Sequence, residues 1–190
     1  MLYTLNKPNT NLPSHCDMRK TPGIDMTTGS LGQGASAAAG IALGNKMDGK
    51  DDTYTYLILG DGESQEGQVW EAAMFAGNKG LSNLTAFVDY NNLQIDGTIE
   101  EVNSAAPIDK KFEAFGWHVI TIDGHSFEEI ENALKEAETV DKPVAIIAKT
   151  VKGKGVSFME NAVGWHGSAP NDEQYEQAMT ELNAALAALN

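Results

Sequence analysis

Short apolar runs alternate with amphipathic stretches along almost the whole chain. Residues 53–59 (TYTYLIL) and 84–90 (LTAFVDY) are β-branched, aromatic and aliphatic, and each predicts a buried strand. Residues 117–122 and 144–149 (VAIIAK) predict two more. Helical patterns lie between them, over 32–47, 68–79 and 109–115. The first of these is so small-sided that another helix or a sheet can pack very close to it. Ser126 and Glu129 have capping-box spacing ahead of an apolar face formed by Ile130, Ala133, Leu134 and Ala137. Tyr175, Met179, Leu182, Leu186 and Leu189 recur in a 4-3-4-3 stripe that predicts a final helix. Residues 1–25, punctuated by Pro8, Pro13 and Pro22-Gly23, read as loop, and so do residues 91–107, which lack periodicity.

Strands that alternate with helices and run continuously apolar predict an α/β fold. The expected form is a doubly wound, mainly parallel sheet with helices on both faces, one unit over residues 1–190. Ligands of such sheets gather beyond the carboxyl ends of the strands. The loops after Leu59, Tyr90, Ile122 and Lys149 are therefore where chemistry is expected.

Composition narrows the function classes. Thirteen Lys and Arg against 27 Asp and Glu give a net charge of −14. That balance argues against nucleic acid and anionic membranes, both of which need clustered positive charge. No apolar run approaches the ~18 residues of a membrane span, and no basic-then-apolar leader opens the chain. The single cysteine, Cys16, forms no internal disulfide and points to a reducing cytoplasm. It has no base near it in sequence and is not read as a nucleophile. His118 and His125 read as structural.

Two phosphate-loop look-alikes fail on context. Residues 44–51 follow a helix where a P-loop needs a strand, and Asp51 stands where a magnesium-binding hydroxyl belongs. Gly32-Gln-Gly34-Ala-Ser-Ala37 lacks the strand that should precede a dinucleotide fingerprint.

The strongest signal is Gly60-Asp61-Gly62 directly after one apolar strand and Asn91-Asn92 directly after the next. Parallel strands bring those ends to one edge. An Asp carboxylate and an Asn amide oxygen are hard donors suited to magnesium and a substrate phosphate. Gly60 and Gly62 let backbone approach a diphosphate, and the following helix offers its positive end.

With these residues the sequence resembles the thiamine-diphosphate enzymes, specifically the transketolase family. Further stretches carry the likeness: ThrProGly at 21–23, ThrThrGlySerLeuGlyGlnGly at 27–34, GlnIleAspGly at 94–97, LysGlyLysGly at 152–155 and TrpHisGly at 165–167. The resemblance implies that Asp61, Asn91 and the Leu93 carbonyl hold Mg2+ (or Ca2+). It implies that the Gly62 amide and His166 contact the cofactor diphosphate, with Gly60 and Glu63 in the same cofactor-binding stretch. Gly29 and Leu31 would line the thiamine, and Lys152 would help close the site. Catalytic roles fall on His15, Glu66 and His166. Glu66 matches an acid at the subunit interface, and His15 lies in Ser14-His15-Cys16-Asp17 where the family pattern is Gly-His-Pro-Asp.

The family's full enzyme has diphosphate-binding, pyrimidine-binding and C-terminal domains, and only the first is expected here. The chain resembles the N-terminal subunit of a split transketolase, shortened at its N-terminus, acting on sugar phosphates with a partner subunit in a homo- or hetero-oligomer. The implied activity is transfer of a two-carbon ketol unit from a ketose to an aldose. A different thiamine-diphosphate enzyme, such as 1-deoxyxylulose-5-phosphate synthase, and a non-catalytic cofactor-binding or dimerising module stay open as alternatives.

Overall fold

The computed structural model describes residues 2–50 and 52–189; Met1, Asp51 and Asn190 lie outside the described residues. The elements are α1 (Gln33–Met47), β1 (Thr55–Gly60), α2 (Gly67–Lys79), β2 (Leu84–Tyr90), β3 (Leu93–Gln94) and β4 (Gly97–Thr98). They continue with α3 (Ile99–Asn103), α4 (Ile108–Ala114), β5 (His118–Asp123), α5 (Phe127–Ala137), β6 (Val144–Lys149) and α6 (Asp172–Ala188). Four strands form one wholly parallel sheet in the order β1-β2-β6-β5. The expected α/β fold with helices on both faces is therefore present.

Side-chain size explains how the layers close. Ala35, Ala38, Ala39 and Ala42 of α1 and Val69, Ala72, Ala73 and Ala76 of α2 are buried against Leu59, Ala86, Val88, Ala145 and Ile147. Phe112 of α4 fills the same side, edge-on to Trp117 with ring centroids 5.1 Å apart. Ala133 and Ala137 of α5 cover the opposite face, over Ile122, Val144, Ile146 and Ala148. Register sets Leu59 beside Val88 and Val88 beside Ile147, so the strand ends reach one edge together.

Four expectations need correction. The apolar run of β1 does not mean two covered faces: β1 is an edge strand, and Tyr56 and Ile58 are 54% and 76% exposed. Residues 91–107 are not all loop. They hold the β3–β4 hairpin, with Leu93 opposite Thr98, and α3, which Thr98 and Glu101 cap reciprocally. The stripe on α6 does not form a buried face: Tyr175, Leu182, Leu186 and Leu189 are exposed, and Ala178 is buried instead. Residues 2–4 form a single 3-10 turn within a segment expected to be loop.

The start of α5 is half of the anticipated capping box. Ser126 Oγ accepts the Glu129 N–H at 3.3 Å, but the Glu129 carboxylate turns to the Asp123 N–H at 2.7 Å. Ser126→Ala is expected to cost about 1 kcal/mol. In a thermal melt followed by circular dichroism that is a drop of about 2–4 °C.

Candidate active site

The carboxyl edge of β1 and β2 is where the candidate residues converge. Asp61, the first residue past β1, is buried, 2% exposed. Its Oδ1 accepts the Gly62 N–H at 2.8 Å and its Oδ2 accepts the Asn92 N–H at 2.5 Å. Burial raises the Asp61 pKa, the nearby Asp89 charge adds to that, and the donated N–H groups oppose it. No Lys, Arg or His among the described residues forms an ion pair with Asp61. A buried carboxylate without a counter-charge is costly, and a bound cation is one way to supply that charge.

Asn92 explains how the two strand ends meet. It takes φ +62°, a left-handed conformation that Asn tolerates better than most residues. This turn aims its N–H at Asp61 and leaves its carbonyl to accept the Ile99 N–H at 3.1 Å, folding the hairpin back. Asn91 is half-buried beside it. Its Oδ1 accepts the Leu93 N–H at 3.0 Å and its Nδ2 donates to Asp89 Oδ2 at 3.3 Å. The candidate donors, Asp61, the Asn91 amide and the Leu93 carbonyl, would all offer oxygen, the donor chemistry that suits a hard cation such as Mg2+ or Ca2+. Among the described residues no group of three or more His, Cys, Asp or Glu offers an alternative metal site.

A second group of candidates meets at the start of α1. Glu63 bridges it to β1, accepting the Gly32 N–H at 2.8 Å and the Gly60 N–H at 3.2 Å. Glu66 lies alongside: a Cβ built on Gly32 would come 3.2 Å from the Glu66 Cβ. Gly29 takes φ +121°, and a Cβ there would stand 2.4 Å from His15 Cδ2, so the His15 ring lies directly on this backbone. Leu31 is exposed, and with Gly29 and Glu63 it borders a groove of about 730 Å³ along the open edge of β1.

Lys152 and His166 join neither group by a hydrogen bond among the described residues. The Lys152 carbonyl accepts the Asn161 N–H at 3.0 Å within a compact loop. Gly153 (φ +75°) makes that loop possible, because a Cβ there would lie 2.5 Å from the Met159 carbonyl oxygen. His166 is exposed at the end of a 3-10 turn, Val163–Trp165. The Gly62 N–H, expected to face a diphosphate, is engaged by Asp61. Sequence reasoning missed Asp89 and Thr150, whose hydroxyl donates to Asp89 Oδ1. The available signal was a carboxylate near the end of β2, two residues before Asn91.

Residues 2–185 match the family model described as transketolase, thiamine diphosphate binding domain. The chain belongs to this family. It is 54% identical over 183 residues to the 6-deoxy-6-sulfo-D-fructose transketolase subunit SqwG of Clostridium sp. (strain MSTE9), a match covering 96% of this chain and 66% of that protein. It is 44% identical over 168 residues to an apulose-4-phosphate transketolase subunit of Phocaeicola vulgatus, covering 88% of this chain and 59% of that one. The solved transketolase of Campylobacter jejuni superposes with a TM-score of 0.89 at 34% identity, over 95% of this chain and 29% of that chain. This transketolase-family chain therefore spans two thirds or less of the relatives it matches.

Proposed function

We propose that this chain is the thiamine-diphosphate- and magnesium-binding part of a transketolase, active with a partner subunit that carries the pyrimidine-binding and C-terminal domains. The observation that carries the reading is the meeting of Asp61 with the Asn91-Asn92 turn at adjacent parallel strand ends. Asp61, Asn91 and the Leu93 carbonyl would hold Mg2+. The loop bearing Gly29 and Leu31 would line the thiamine, the 60–63 stretch with His166 would face the diphosphate, and Lys152 would help close the site. Thiamine diphosphate, when bound, supplies the nucleophilic carbon that takes a two-carbon ketol unit from a ketose and passes it to an aldose. Glu63 holds the 29–32 loop against β1, and Glu66 stands exposed where a partner domain can reach it.

The names of two relatives, SqwG and the apulose-4-phosphate transketolase, carry a sulfonated and a phosphorylated sugar. We take the substrates to be anionic sugars of that kind, sugar phosphates included. Assembly as a hetero-oligomer is supported by the subunit naming of both relatives. We also infer a cytoplasmic location, supported by the single cysteine. Among the described residues no helix is long and apolar enough to cross a membrane.

Calorimetric titration with thiamine diphosphate, with and without Mg2+, tests the reading. Binding that requires Mg2+ is expected, and ketol transfer from sulfonated or phosphorylated ketoses is expected once the pyrimidine-binding subunit is added. If neither the chain alone nor the chain with that subunit binds the cofactor in a Mg2+-dependent way, the reading is wrong.

A further inference from the structure

The Asn91 side chain has to present its oxygen, not its nitrogen, to a cation, and an amide can turn either way. Two neighbours decide the orientation. The Leu93 N–H can only donate, and it lies 3.0 Å from Asn91 Oδ1. The Asp89 carboxylate can only accept, and its Oδ2 lies 3.3 Å from Asn91 Nδ2. Turning the amide over would set donor against donor and oxygen against oxygen, so one orientation satisfies both neighbours.

Asp89 is itself anchored from the next strand. The Thr150 hydroxyl donates to Asp89 Oδ1, and the Thr150 N–H donates to the Tyr90 carbonyl at 3.2 Å. Thr150 directly follows β6, whose Lys149 is in register with Tyr90. One residue further, the Val151 N–H donates to His125 Nε2 at 2.8 Å, which fastens the same loop to the exit of β5. Hydrogen bonds thus run from β6 through Thr150 and Asp89 to Asn91.

We infer that Asp89 is a positioning residue: anchored by Thr150, it fixes the Asn91 amide so that the oxygen, which accepts the Leu93 N–H with one lone pair, keeps the other for the metal. The inference rests on the reading of Asp61 and Asn91 as metal ligands. Outer-shell partners of this kind hold a ligand in the orientation that binding needs, and their loss typically costs 10–100-fold in metal affinity. Asp89 is exposed, so its charge acts on the site through screening water, and orientation is its larger contribution.

The test is Mg2+ affinity, titrated at saturating thiamine diphosphate, in Asp89→Leu, Asp89→Asn and Asp61→Ala, using the chain with its partner subunit. Asp89→Leu is expected to weaken Mg2+ binding by about 10–100-fold. Asp89→Asn should recover most of that loss, since its carbonyl can accept the Asn91 N–H while its amide donates to Thr150. Wild-type affinity in Asp89→Leu, with Asp61→Ala still defective, overturns the positioning role and leaves the metal reading standing. Equal weakness in the Leu and Asn variants assigns the effect to charge and overturns it too. Mg2+ binding that survives Asp61→Ala removes the metal reading and this inference with it. If Asp89→Leu does not fold, Thr150→Val takes its place: it releases Asp89 and must weaken Mg2+ binding, and unchanged affinity rejects the inference.

Discussion

Asp61→Ala is expected to abolish Mg2+-dependent binding of thiamine diphosphate while the chain stays folded. The loss should exceed the 10–100-fold typical of outer-shell changes, because a ligand itself is removed. Two opposing terms act on stability. The Gly62 and Asn92 N–H groups lose their acceptor; both bonds are only part-buried, so water can replace it and the cost stays below the roughly 1–3 kcal/mol of a fully buried unpaired donor. Against this, the variant no longer buries a carboxylate whose charge burial disfavours. Asp61→Asn separates the two, since its amide oxygen still accepts one of those N–H groups while the charge is gone. Both variants should melt close to the unmodified chain and lose Mg2+-dependent binding in calorimetry. Unchanged affinity in a folded Asp61→Ala protein would mean that Asp61 does not hold the metal.

How much of this was readable from sequence depends on how local each feature is. The parallel sheet was legible because β2 and β6 are apolar along their length, as strands buried on both faces must be. The open face of β1 was not. Tyr56 and Ile58 have the composition of a buried strand, and only the strand order shows that nothing among the described residues pairs beyond them. The 91–107 segment misled for a related reason. Two-residue strands and the five-residue α3 are too short to show a period, although Thr98 and Glu101 carried a readable cap signal.

The candidate site divides along the same line. Gly60-Asp61-Gly62 and Asn91-Asn92 each sit directly after an apolar strand, so adjacency in a parallel sheet followed from sequence alone. The Thr150–Asp89–Asn91 path depends on which strand lies beside β2, and that neighbour is β6, distant in sequence. His15 and Gly29 could be paired only through a resemblance, because their contact is a loop folding over a left-handed glycine.

Gly77→Ala is expected to destabilise the fold more than any exposed helix substitution. Gly77 lies on α2 where the helix meets the turn between α4 and β5. A Cβ there would stand 1.8 Å from the Phe115 carbonyl oxygen and 3.4 Å from Trp117 Cδ1. The first obstacle is backbone and cannot rotate away, so α2 or the turn must move. Movement would strain the Trp117 Nε1–H bond to the Ala73 carbonyl, 2.8 Å, and the packing of Phe112 against Trp117. Overpacking of this kind costs about 1–3 kcal/mol and sometimes more. Alanine's better helix propensity returns up to about 1 kcal/mol. A net loss of about 1–2 kcal/mol corresponds to a melting temperature lower by roughly 2–8 °C. Gly40→Ala on α1 is the matched control, because a Cβ there meets nothing within 4 Å. That variant should melt at or above the unmodified protein. If the two alanine variants melt together, α2 is not seated against residues 115–117, and the packing that carries Glu63 and Glu66 at the head of that helix must be drawn differently.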